Sequence, residues 1–198
     1  MKKIYLTFGL LSLGMMFSSC EEEVEEVNGI RVEYPEELDD LDEFEAFSLK
    51  PYNIEALIYI PDATANIGAS TAPEMIHELN GYQWDLRVGQ NFHLTIEDWG
   101  TDDAFKDYLM QLEDQKVYTI EFLEKEDNFA YYKAKLNVKG KGDNENVGVE
   151  HTTYHVVAQH TIEGVNYLFK TNKDGHPKPI TDYMAKSVKS VKPITEAS

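Results

Sequence analysis

EMIHELNGYQWDLRVGQNFHLTIED, residues 74–98, decides the fold. Asn80-Gly81 sits between two apolar runs, residues 74–79 and 82–88. Asn-Gly is the strongest short hairpin signal, because both central residues of such a turn must accept φ > 0. Along the second arm Trp84, Leu86 and Val88 point one way. Residues 89–91 turn the chain again. In residues 92–98, Phe92, Leu94 and Ile96 alternate with His93, Thr95 and Glu97. The stretch predicts a three-stranded antiparallel meander with one oily face.

A helix is predicted next. Gly100-Thr101 offers an N-cap, and Asp102 and Asp103 put negative charge where the helix dipole favours it. Ala104, Phe105, Tyr108, Leu109 and Leu112 then make a stripe at helical spacing, ending near Gln115. Residues 117–123 and 129–138 read as strands around the polar turn 125–128. Residues 139–150 read as loop. Residues 151–161 and 165–171 read as a second hairpin around Glu163-Gly164, followed by a loop over residues 172–179. Thr181 is the expected cap of a last helix, with Ile180, Met184, Val188 and Val191 on one face and Pro193 as its stop. Before the meander, residues 53–60 read as a strand with Ile54, Ala56, Ile58 and Ile60 on one side.

The expectation is a single α+β domain over residues 49–198. Its antiparallel sheet of about seven strands in hairpins has its oily side covered by two packed helices. The early strand ending Ile60-Pro61, the meander and helix over residues 74–115, and the final Ala185-Lys186-Ser187-Val188 resemble the PsbP-like sandwich, including DcrB-type periplasmic lipoproteins. The likeness is one of element order and carries no diagnostic motif. It implies a non-catalytic accessory or binding domain and transfers no functional residue. A cystatin-like or other helix-on-sheet fold fits the same pattern.

Residues 1–19 read as a signal peptide. Lys2 and Lys3 form a short positive region, residues 4–17 an apolar run, and Ser18-Ser19 precede Cys20, the only cysteine. The apolar run is too short for a transmembrane helix, which needs about twenty residues. Phe17-Ser18-Ser19-Cys20 resembles a bacterial lipoprotein box, with Phe17 in place of the usual Leu. That resemblance implies cleavage before Cys20 and acylation of its thiol and new amine, so Cys20 is the expected lipid attachment. The competing reading is an ordinary secretory signal, which leaves Cys20 with no disulfide partner.

Residues 20–48 read as an acidic tether. Glu21, Glu22, Glu23, Glu25 and Glu26 open it, and Arg31 is its one basic residue. Like charges with few apolar residues cannot bury enough surface to order a chain. Acids directly after the cysteine resemble the export signal of surface lipoproteins in Bacteroidota, which implies an outer-membrane, lipid-anchored and surface-exposed protein. A solvated spacer explains the same acids. Leu38, Leu41, Phe44 and Phe47 fall near helical spacing and suggest a short amphipathic helix at the end of this tether.

The chain has 198 residues, with 18 Lys+Arg against 36 Asp+Glu. Losing Lys2 and Lys3 with the signal leaves 16 basic residues against 36 acidic, a net charge of −20. Such a charge repels nucleic acid. His151, His155 and His160 invite a metal reading. On a strand, however, His151 and His155 stand about 13 Å apart and His160 faces away, so they read as surface histidines. Asp143 to Gly148 hints at calcium, but Val147 occupies a ligand position. Adjacent Glu97 and Asp98 face opposite ways on a strand, and no G-x-S-x-G elbow is present. No catalytic residue, metal or cofactor is therefore assigned. Phe129, Tyr131, Tyr132, Tyr154 and Tyr167 are candidates for an open aromatic face suited to a protein or glycan partner. The expected function is a membrane-anchored, non-catalytic binding or accessory module, the alternative a lipid-anchored envelope hydrolase.

Overall fold

The structure is a computed structural model and describes residues 24–27, 30–33, 43–68, 72–78, 81–136 and 151–194. Twelve strands and two α-helices appear among them. β1 (Val24–Val27) and β2 (Ile30–Glu33) pair as an antiparallel hairpin inside the stretch expected to stay unstructured.

β3 (Phe44–Ser48) and β4 (Ala56–Pro61) are antiparallel partners. β3 occupies the place of the expected amphipathic helix, so Phe44 and Phe47 belong to a strand. It also lies within the residues assigned to the tether. The packed domain accordingly reaches back beyond residue 49.

β5 (Glu74–His77), β6 (Gln83–Val88) and β7 (Phe92–Asp98) form the predicted meander. Glu78 N–H donates to the Gln83 carbonyl across a four-residue loop, longer than the expected two-residue turn. Gly81 in that loop has φ of 78°. α1 (Ala104–Asp114) follows, then β8 (Tyr118–Lys125), β9 (Phe129–Leu136), β10 (Thr152–Ile162) and β11 (Val165–Thr171). The β10–β11 turn has positive φ at both Glu163 and Gly164, the conformation a two-residue hairpin demands. α2 (Lys178–Lys189) and the short β12 (Lys192–Pro193) complete the described chain.

Seven strands make one antiparallel sheet in the order β5-β6-β7-β11-β10-β9-β8. β4 leaves this sheet and sits at the centre of a second one, β12-β4-β3. All six β4 residues are buried, so its side chains face apolar partners on both sides and no inside–outside alternation marks it.

The two helices lie on opposite faces of the large sheet, rather than together on one oily side. Met184 and Val188 of α2, with Ile54, Ile58 and Ile60, pack on Trp84, Leu86, Phe92, Leu94, Ile96, Val156 and Phe169. On the other face, Ala104 and Phe105 of α1 pack on Ala130, Tyr132, Ala134, Val157 and Leu168. Both faces of β9 and β10 are thus apolar. Burying Phe105 alone contributes about 1.5–3 kcal/mol.

Both helix starts differ from the sequence expectation. α1 is capped by Asp103, whose Oδ1 accepts from Lys106 N–H at 3.2 Å, not by Gly100-Thr101. α2 begins with Lys178 after Pro177, three residues before the expected cap. Thr181 is fully buried in its first turn, and its hydroxyl donates back to the Pro177 carbonyl. No helix among the described residues is long and apolar enough to cross a membrane.

Candidate functional site

The face of the sheet beneath α1 carries most of the polar chemistry. A cavity of about 270 Å³ opens between the carbonyl end of α1, the strands β8 to β10 and the loop after β11. Leu112, Ile120 and Ala134 give it apolar walls, while Tyr108, Tyr132 and His155 supply its polar floor.

The floor is built from buried neutral groups. Tyr132 and His155 are 2% and 6% exposed, and their rings stack with centroids 5.0 Å apart. The Tyr108 and Tyr132 hydroxyls are 2.9 Å apart and share a hydrogen bond. Burial, more than any neighbour, raises the phenol of each above its ordinary range. Thr153 Oγ1 lies 2.9 Å from His155 Nε2, and Thr171 Oγ1 lies 3.4 Å from Nδ1. Burial first, and the neighbouring His176 second, lower His155 to about 4. Phenols and imidazole are therefore all uncharged at neutral pH.

A loop fixes one side of this floor. The Asn172 carboxamide oxygen accepts from Asp174 N–H at 3.1 Å and Gly175 N–H at 3.0 Å. His176 exchanges two backbone hydrogen bonds with Tyr154, at 2.9 and 3.1 Å. Between these anchors Gly175, at φ +67°, presses on the imidazole. A Cβ there would stand 2.5 Å from His155 Nε2. Lys173 and Asp174 of the same loop reach the cavity rim.

A second polar group sits farther along the same face. Asp85 is 7% exposed and accepts from Thr95 Oγ1 at 3.0 Å and from Arg87 Nη2 at 3.2 Å. His93 Nε2 approaches the Asp85 carboxylate at 3.2 Å, outside hydrogen-bond alignment. Burial opposes the charge on Asp85, but His93, Thr95 and Arg87 together hold its carboxyl below the usual range. Lys170 pairs with Glu97 at 2.7 Å, and the Trp99 indole N–H donates to the same carboxylate at 3.1 Å.

Another cavity, of about 440 Å³, lies beside the end of α2 and is lined by Glu126, Asn128, Phe129, His160, Val188 and Lys189. Its charges are already matched. Lys189 binds Glu124 and Glu126 and lies 4.3 Å from the Phe129 ring centroid. His160 donates from Nε2 to the Val188 carbonyl at 2.7 Å.

Two of the three histidines expected on the surface are in fact interior. His155 is buried against Tyr132 on the α1 side and His160 is half-buried against Phe169 and the Val188 carbonyl on the α2 side, so the strand does separate them, but β10 is covered on both sides. Only His151 is exposed, at the rim of the smaller cavity. No three His, Cys, Asp or Glu side chains converge as metal ligands among the described residues. The expected open aromatic face is closed as well. Phe129, Tyr131, Tyr132 and Tyr167 are each buried, and Tyr154 is half-buried against the α2-side core.

Cys20 and the segment from Asp143 to Gly148 lie outside the described residues. Sequence reasoning missed the Tyr108–Tyr132–His155 floor and the Asp85 group. Asp85 lies on the β6 face opposite Trp84 and Leu86, directly across from Thr95 of β7. Compared with family models, curated proteins and solved structures, the chain matches none.

Proposed function

We propose that the protein is a lipoprotein held to the outer membrane through acylated Cys20, and that its folded domain is a non-catalytic binding module. The anchor reading rests on the Lys2-Lys3 start, the short apolar run and the Ser18-Ser19-Cys20 box. Each buried acyl CH₂ contributes about 0.8 kcal/mol, and more than one chain is needed for stable attachment. The element order read from the sequence resembles the PsbP-like sandwich, and that resemblance implies an accessory role.

The observation that carries the binding reading is the cavity beneath α1, with apolar walls and a floor of neutral hydrogen-bonding groups. Such a lining, apolar with a few placed polar atoms, suits recognition. It suits hydrolysis poorly. The Thr153–His155 contact resembles a nucleophile and base, but an imidazole lowered to about 4 accepts a proton weakly at neutral pH. Its other nitrogen faces the Thr171 hydroxyl rather than a carboxylate, and Gly175 covers the ring.

Small-molecule fractions of the cell envelope, added to isotopically labelled full-length Cys20→Ser protein, test the reading. Shifts confined to Tyr118, His151, Thr153 and their neighbours are expected. Turnover of ester, peptide or glycoside substrates, lost in His155→Phe, would establish the hydrolase instead. Palmitate labelling of Cys20 and its loss in Cys20→Ser test the anchor separately.

A further inference from the structure

Building on the cavity beneath α1 as a ligand site, we propose that it takes a small zwitterion of the free amino-acid kind. The ligand's apolar side chain enters between Leu112, Ile120 and Ala134. Its carboxylate and ammonium remain at the rim with Lys173 and Asp174.

The charges at the rim are the first support. Lys173 and Asp174 are adjacent, exposed and of opposite sign, and both line the cavity. Neither side chain makes an ion pair or hydrogen bond among the described residues. Three other lysines are engaged by carboxylates, Lys125 by Glu113, Lys133 by Glu121 and Lys178 by Asp182. The backbone that carries the rim pair is held on both sides, by the Asn172 turn and by the His176–Tyr154 bridge. Two unlike charges are thus presented from a backbone that is already ordered, so a ligand has only their side chains left to order.

The interior supplies the second support. No charged group forms the floor, because Tyr108, Tyr132 and His155 are all neutral at pH 7. A ligand charge carried inside would lose its hydration without compensation. The apolar end of an amino acid enters without that penalty. A lone anion would in addition meet the field of a chain with net charge −18, which a zwitterion of zero net charge escapes. The carbonyl end of α1, at Gln115, opens on the same cavity and favours an ammonium group beside it. Size agrees: about 270 Å³ falls just below the roughly 300–1,000 Å³ of cavities for drug-sized ligands.

The test is a titration of labelled full-length Cys20→Ser protein with L-leucine and L-phenylalanine, followed by NMR. L-leucinamide, N-acetyl-L-leucine, N-acetyl-L-leucinamide and N-acetylglucosamine are the comparison ligands. Saturable shifts at Tyr118, His151, Thr153 and Lys173 are expected with the free amino acids. Blocking either end should weaken binding about fivefold, the size of one exposed ion pair. Lys173→Ala should abolish the preference for leucine over leucinamide, and Asp174→Ala the preference over N-acetyl-leucine. Both substitutions are on the exposed rim and leave the core intact. Equal binding of leucine and its doubly blocked form, or N-acetylglucosamine as the sole binder at these residues, would overturn the zwitterion while leaving the cavity as a ligand site. Absence of amino-acid binding also overturns it. The cavity reading itself falls only if envelope fractions, too, leave these residues unmoved.

Discussion

Gly175 lies against His155 so closely that the imidazole occupies the space of any Cβ at that position. This contact ties the loop after β11 to the floor of the cavity. Gly164, also at positive φ, has nothing within 4 Å of its virtual Cβ. Both Gly175→Ala and Gly164→Ala bear the backbone strain of a left-handed alanine, about 1–3 kcal/mol. Gly175→Ala must in addition displace the imidazole. Its melting temperature should therefore fall further, by an amount equivalent to at least about 1 kcal/mol. Equal losses would mean that His155 yields freely.

His155 makes stability dependent on pH. Its pKa is lowered to about 4 in the folded protein, against about 6.5 when unfolded. Between those values the unfolded chain binds more protons, so stability rises with pH through that window. The contribution is complete above pH 6.5, declines as pH falls and is lost by pH 4. Its size is about 3 kcal/mol at most. His160 and His176 are shifted in the same direction, chiefly by burial, and act with it. Urea midpoints at pH 7 and pH 4.5 measure the effect. His155→Phe keeps a ring against Tyr132 and should flatten the dependence; an unchanged slope would assign it to other groups.

Ser190 receives the Tyr59 backbone N–H at 2.9 Å and donates to the Ser187 carbonyl at 2.7 Å. Both contacts are buried. Ser190→Ala leaves the Tyr59 N–H without its acceptor, which costs about 1–3 kcal/mol. A chemical-denaturation midpoint shift without a change in slope is expected. A loss below about 0.5 kcal/mol would mean that the backbone finds another partner.

Tyr108 and Tyr132 share one hydrogen bond between α1 and β9. Tyr108→Phe and Tyr132→Phe should each cost about 1 kcal/mol. The double variant should cost less than the sum, because one interaction is removed twice. Strict additivity would show that the two hydroxyls are satisfied independently.

The acidic residues after Cys20 carry the proposal of surface exposure. Replacing Glu21, Glu22, Glu23, Glu25 and Glu26 by alanine should protect the protein from protease added to intact cells. Unchanged cleavage would leave these acids as a spacer only.

Much of the large sheet was legible in the sequence for a local reason. Turn residues with fixed conformational demands, Gly81 and Glu163-Gly164, punctuate runs of period two, and the α1 stripe has its apolar positions on one side. Three features were not legible. β4 is buried throughout, so its pattern names neither face nor neighbour. β3 carries Glu45 between buried Phe44 and half-buried Phe47, and its two aromatics coincide with helical spacing. The cavity is assembled from α1, three strands and a loop distant in sequence. Its residues share no period, and the neutrality of His155 comes from burial that a strand pattern read as one-sided does not foresee.

β4 has a further consequence for how the chain becomes itself. Its Ala56 and Leu57 pair with Pro193 and Lys192, and its Tyr59 waits for Ser190. A polypeptide that emerges from its N-terminus can pair β4 with β3 at once, but the other edge of β4 stays open until Ser190 and β12 arrive, 131 residues after Tyr59. Closing so wide a separation is slow compared with zipping a hairpin. The meander and the β10–β11 hairpin can form early, while β4 remains a hazard for mispairing until the last turn of α2 is made. Trimming residues 190–194 removes both the Ser190 acceptor and the β12 partner of this edge.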